Sequence, residues 1–229
     1  MQPYLFPYVG YFQLIGAVDQ FIVYDNVKYT KKGWINRNRF LQEGADELFS
    51  VPLRKDSDFL EIRRRVIAPD FAREKLLNRL REAYRRAPCF QTVFPLVEGV
   101  FRSEEENLFL FVHRSILDVC RYLGIGTNIT ISSVVEIDHS LRGKVKVIAL
   151  CRAVGARTYV NPIGGTGLYA TDEFAAEGIE LRFLRSRPLE YPQFGARFVP
   201  WLSIIDVMMF NPRERVRELV AGGYELVEA

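Results

Sequence analysis

Histidine and cysteine are scarce in this sequence: two and three, respectively, among 229 residues. The cysteines, Cys89, Cys120 and Cys151, are odd in number, far apart and in no C-x-x-C pair, which excludes a disulfide framework and a zinc-finger spacing. Two isolated histidines, His113 and His139, cannot fill a metal site, so no metal is expected. No Gly-x-Ser-x-Gly elbow is present either, which leaves a Ser-His-Asp triad without support. Charge of one sign is lacking too: 31 basic residues against 28 acidic give a net +3, far from the basic stripe of a nucleic-acid binder. No apolar run approaches the roughly 18 residues of a spanning helix; the stretch from Phe109 to Ile116 is broken by His113 and Arg114. The opening residues carry no basic region followed by an apolar run and a cleavage site, and with the unpaired thiols this points to the cytoplasm.

What is present is the composition of an ordinary globular protein, 48% hydrophobic and 26% charged. Met1 to Phe12 holds Pro3, Pro7 and Gly10 among aromatics and reads as a tight loop; because it opens in mid-loop, a strand is expected ahead of it. A short helix over Phe12–Val18 leads into the apolar run Phe21–Tyr24, a buried parallel strand ending on Asp25. Further strands are predicted at Glu47–Leu53, Thr127–Val135, Thr158–Val160 and Ile179–Leu184. Helices are predicted at Asp70–Tyr84, Leu108–Leu123, Gly143–Val154 and Pro212–Gly222. The alternation predicts an α/β fold: one domain over 1–229, a mainly parallel sheet with flanking helices, and a helical insertion at about 68–124.

Three polar constellations stand out. The first is Gln2, Tyr11, Asp25, Lys28, Lys31, Trp34, Asn36, Arg37, Asn38 and Arg39. Ligands of parallel sheets sit at strand carboxyl ends, so Asp25 is well placed, and the Asn-Arg-Asn-Arg run offers donors for phosphate or carboxylate, unless it is a solvated turn. The second is Asn161-Pro162-Ile163-Gly164-Gly165, with Tyr169 close behind, whose glycines permit an anion-binding nest or simply a turn; it is no Walker loop, because no Gly-Lys-Ser/Thr follows. The third is Trp201, Ser203 and Asp206 on an apolar run, where Ser203 and Asp206 form one polar edge, or a helix cap and a buried neutralising charge.

Taken together, the segments Met1–Phe12, Asp25–Val27, Lys31–Asn38, Asn161–Gly165 with Leu168-Tyr169, and Phe198–Asp206 resemble the WbqC-like protein family, in order and over essentially the whole chain. Members of that family usually carry a few apolar residues before the Met-Gln-Pro. The resemblance implies a place in surface-polysaccharide or O-antigen biosynthesis, as a transferase attaching an acyl or aminoacyl group such as glycine to the amine of a nucleotide-linked amino sugar. The donor would be a coenzyme A or acyl-carrier thioester or an aminoacyl donor, with an acyl-carrier protein as a possible partner. Such a reaction needs a base and oxyanion donors. Asp25 or Asp206 is the expected base. Asn36, Asn38, Asn161 or the Gly164 and Gly165 amides are the expected donors, with Lys31, Arg37 and Arg39 on the diphosphate.

Two other readings remain at this point. One is a non-catalytic module that holds a nucleotide sugar or a carrier protein. The other is a nucleotidyltransferase-like enzyme, although Pro7 and Tyr11 stand where a His-x-Gly-His loop would have its histidines. Tyr4, Phe6 and Tyr8 are read as a pocket wall or as the interface of a homo-oligomer.

Overall fold

The computed structural model describes residues 1–195 and 197–228. Its elements follow in the order α1 (Val9–Gly16), β1 (Gln20–Val23), β2 (Arg37–Gln42), β3 (Ala45–Ser50), α2 (Arg73–Tyr84), α3 (Phe90–Phe101), α4 (Leu108–Leu123), β4 (Asn128–Ile131), α5 (Gly143–Ala153), β5 (Thr158–Pro162), α6 (Thr171–Ala175), β6 (Glu180–Ser186), α7 (Ile204–Phe210), α8 (Arg213–Gly222) and β7 (Tyr224–Val227), with strand and helix alternating from β4 to β6. The class is mixed α/β, as predicted. The single, mainly parallel sheet is corrected: the described strands form three small sheets, β1 with β4, β2 with β3, and β5-β6-β7. β1–β4 and β5–β6 are parallel, whereas β2–β3 and β6–β7 are antiparallel.

The hairpin has a local cause that the polar stretch after Lys28 concealed. Gln42 pairs with Ala45, leaving Glu43 and Gly44 as a two-residue loop with φ of 50° and 80°. Two positive φ values in succession match the strand twist of a tight hairpin.

The edges of β1 and β5 decide where the cleft lies. Asn128 N–H donates to Asp19 O, so the odd-numbered backbone groups of β1 face β4. The even-numbered ones face the other way: the Met1 nitrogen donates to Ile22 O at 2.6 Å and Tyr24 N–H donates to Met1 O at 2.8 Å, which sets Met1 in parallel register beside Val23. On β5, Glu180 N–H donates to Arg157 O, so Thr158 and Val160 turn their backbone groups away from β6. Ile22, Thr158 and Val160 all line the same cleft.

Each side of that cleft has its own core. On one side α2, α3 and α4 share a core with the opening loop, α1 and α7, through ring contacts such as Phe6–Phe101 at 5.7 Å and Phe101–Phe111 at 6.0 Å. On the other, Val147 and Cys151 of α5 pack with Phe174, Leu181 and Phe183 around β5 and β6. α3, which no periodic signal announced, carries Pro95 as its sixth residue, where the ring removes the N–H that would otherwise reach Gln91 O.

Gly223 joins α8 to β7 under steric compulsion. A Cβ there would stand 2.4 Å from Leu219 O and 2.7 Å from Gln13 Nε2, the amide that donates to Leu219 O and Gly223 O. Gly223→Ala is therefore expected to cost about 1–3 kcal/mol, the usual range for overpacking, in a chemical-denaturation measurement.

Candidate functional site

The cleft between β1 and β5 has a volume of about 1360 Å³. Its polar end lies where the parallel strands finish: Tyr24 and Asn26 follow β1, and Asn161, Gly164 and Gly165 close β5 and the 3-10 turn after it. Tyr24 and Tyr169 both line the cleft, and the Tyr24 hydroxyl is pushed up by burial and then by the nearby Tyr169. Carboxyl ends of parallel strands are where open α/β sheets bind ligands.

A buried polar cluster is built into this end. Ser132 Oγ lies 2.9 Å from Asp25 Oδ1 and 2.8 Å from Asn26 Oδ1, two acceptors for its one proton, and Ser133 N–H donates to Asp25 Oδ1 at 3.0 Å. Lys146 Nζ donates to Asn26 Oδ1 at 3.1 Å, and Asn26 Nδ2 lies 3.0 Å from His139 Nδ1. Asp25 Oδ2 has no hydrogen bond among the described residues; Arg63 Nη1 stands 4.0 Å away. Burial, and then the neighbouring Arg142, push the Lys146 ammonium down from its ordinary value. Asn26, Lys146, Lys28, Glu61 and Phe59 line the cleft, with Lys28 Nζ 4.4 Å over the Phe59 ring.

Of the residues singled out in the sequence, Gln2, Lys28, Asn161, Gly164, Gly165 and Tyr169 line this cleft, and Asp25 stands directly behind Asn26. The others are elsewhere. Tyr11 is buried, its hydroxyl donating to Gln2 O. Asn36 accepts from Tyr29 and donates to Val51 O, and Asn38 donates to Leu5 O at 2.9 Å and Phe6 O at 2.7 Å, so both amides are spent on backbone. Phe6 is fully buried at φ 42°, and Asn38 holds the loop in that strained shape. Arg37 and Arg39 stack on Trp34, Arg39 pairs with Asp46, and Lys31 pairs with Asp58. Ser203 caps α7 and donates to Phe6 O. Trp201, at φ 61°, is exposed and packs on Tyr8.

Asp206 is fully buried. It accepts from the hydroxyls of Tyr84 at 2.8 Å and Tyr191 at 2.6 Å, and from Gln193 Nε2 at 2.8 Å. Burial raises its carboxyl above the ordinary value while these donors oppose the shift. It does not meet the cleft.

Ser132 and Lys146 were not singled out by sequence reasoning, His139 was set aside as an isolated histidine, and Asn26 entered only within the Asp25–Val27 motif. Asn26 was signalled by its place beside Asp25; Lys146 reads as a surface lysine of an amphipathic helix, and only the packing reveals it to be 3% exposed.

Gly165 belongs here by space. A Cβ on it would come within 1.9 Å of Asn161 Nδ2, the far end of a movable side chain. Gly165→Ala should therefore displace Asn161 into the cleft at a stability cost of about 1 kcal/mol, the low end of overpacking, while abolishing ligand-induced thermal shifts.

The model of the WbqC-like protein family matches residues 2–218. A relative from Mycobacterium tuberculosis (strain ATCC 25618 / H37Rv), named Uncharacterized protein Rv1507c, is 32% identical over 212 residues, covering 90% of this chain and 89% of its own. No solved structure matches. No helix among the described residues is long and apolar enough to cross a membrane, and no metal-ligating cluster occurs among them. With the family model spanning nearly the whole chain, the chain belongs to the WbqC-like protein family.

Proposed function

We propose that this protein binds a nucleotide-linked amino sugar in the cleft and transfers an acyl or aminoacyl group to the sugar amine, in surface-polysaccharide biosynthesis. The observation that supports it is the strand-end mouth of the cleft, which combines cations, amides and aromatic faces, the mixture that phosphates and a sugar require. In the reaction the amine nitrogen attacks the activated carbonyl, a C–N bond forms, and the thiolate or other leaving group departs. The amine proton passes to Asp25, by way of one water, at the unbonded Oδ2. Asn161 and the Gly164 amide are the proposed donors to the carbonyl oxygen. The donor is proposed to be a coenzyme A or carrier-protein thioester, or an aminoacyl donor.

One observation favours a second reading, a module that holds the same ligand for a partner enzyme: Asp25 stands behind Asn26 instead of on the cleft wall. Purified protein incubated with an activated donor and a nucleotide-linked amino sugar separates the two. A new amide mass supports the transferase; binding of the sugar nucleotide with no new mass supports the module. Release of pyrophosphate from a nucleoside triphosphate would contradict both.

A further inference from the structure

We propose that the start of α5, with Lys146 as its centre, is a diphosphate subsite of the cleft. The sequence puts Arg142, Lys144 and Lys146 at the first turn of this helix and no acid in it. Cations there oppose the helix dipole, whose positive end lies at the N-terminus, so the arrangement is unfavourable until an anion arrives. Arg142, the N-cap residue, makes no side-chain capping bond, and the amides of Gly143, Lys144 and Val145 precede the first intrahelical bond, which runs from Lys146 N–H to Arg142 O.

Lys146 supplies the independent sign. Its side chain is 3% exposed, yet its only hydrogen-bond acceptor is the neutral amide oxygen of Asn26, and it forms no ion pair among the described residues. A buried ammonium without a counter-ion is costly, and an ammonium has three protons to donate. One goes to Asn26, the Tyr24 ring lies 5.8 Å from the ammonium, and no second hydrogen-bond acceptor within the described residues takes the remaining protons, which are left for a ligand. Asp25 and Glu61 act on it from longer range, against Arg142 and Arg63. Lys144 is held by Glu173, and Arg142 by the carbonyls of His139 and Leu141, which fixes both at the cleft wall. Lys28 is a further cation of the cleft lining, paired along the backbone with Glu61, which also lines it.

This assigns the diphosphate to α5 in place of Lys31, Arg37 and Arg39, which pair or stack outside the cleft. It deepens the proposed function and rests on it only for the identity of the natural ligand, because nucleotide sugars and coenzyme A both carry a diphosphate.

The test is calorimetric titration of the full chain with inorganic pyrophosphate, then with a nucleoside diphosphate and with coenzyme A. Pyrophosphate should bind, more weakly as salt is raised. Lys146→Met should weaken it at least tenfold while melting no lower than the parent, since a buried charge has been removed. Arg142→Met, at an exposed position, should weaken it by a smaller factor, and Lys55→Met, outside the cleft, should leave it unchanged. Tighter binding of the nucleoside diphosphate names a nucleotide sugar as the source, and tighter binding of coenzyme A names the donor. No binding of pyrophosphate, or equal binding by Lys146→Met and the parent, overturns the proposal. A sugar nucleotide that bound normally to Lys146→Met would refute this subsite while leaving the function of the cleft intact.

Discussion

Replacing Asp206 with alanine is expected to destabilise the protein by about 3–5 kcal/mol, the range for breaking a buried charged network by removing one member. The Tyr84 and Tyr191 hydroxyls would lose their acceptor, Tyr84 in a fully buried position, while the Gln193 amide would keep only Val199 O. In a chain of this size the loss should lower the melting temperature by roughly 6–20 °C. Asp206→Asn keeps one acceptor oxygen and should fall between. The two proteins should also differ in pH response. Burial raises the Asp206 carboxyl, so in acid the native state holds a proton that the unfolded state has released. Its contribution is therefore fully present below the ordinary aspartate value and is lost as pH rises through the folded value. The stability advantage of the parent over Asp206→Asn should shrink as pH is raised through that window in urea titrations. A mild effect of Asp206→Ala, with ligand response lost, would instead return Asp206 to the chemistry.

Asp25→Asn should have the opposite profile, little change in folding and a large change in activity. The asparagine oxygen can still accept from Ser133 N–H and Ser132 Oγ, so the link to Asn26 and Lys146 survives. What is lost is the basic Oδ2. General-base assistance is worth roughly 10²–10⁴ in rate, and kcat in the amide-forming assay should fall by that factor while sugar-nucleotide affinity holds. An unchanged rate would remove Asp25 from the reaction and make it a positioning residue.

Much of the architecture could be read from period and punctuation. Phe21-Ile22-Val23 ahead of Asp25, the β-branched run at Asn128–Ile131 and the glycine after α4 all mark elements that the structure contains. β2 was hidden because its arginines and amides leave no clean alternation, whereas β3 overlaps the strand expected at Glu47–Leu53. β7 escaped notice for a similar reason, since its four residues are only half-buried on a sheet edge.

Part of the candidate site could be outlined from the sequence. Asp25 and the Asn161–Gly165 loop could be placed from their positions after strands, which is a topological argument. Asn36, Asn38, Ser203 and Asp206 carry the same side-chain chemistry as a binding site, and nothing in one sequence says whether an amide faces a ligand or a backbone carbonyl. Asn38 answers that only through its two bonds to the opening loop, and Lys146 only through its burial.

Hydrogen exchange with and without a nucleoside-diphosphate-linked amino sugar tests the central claim, that the cleft at the strand ends is the ligand site. Protection is expected at residues 24–28, 143–146 and 161–169, with none gained at 34–39 or 201–206. Protection confined to those last two segments, or none anywhere at saturating ligand, would contradict the account.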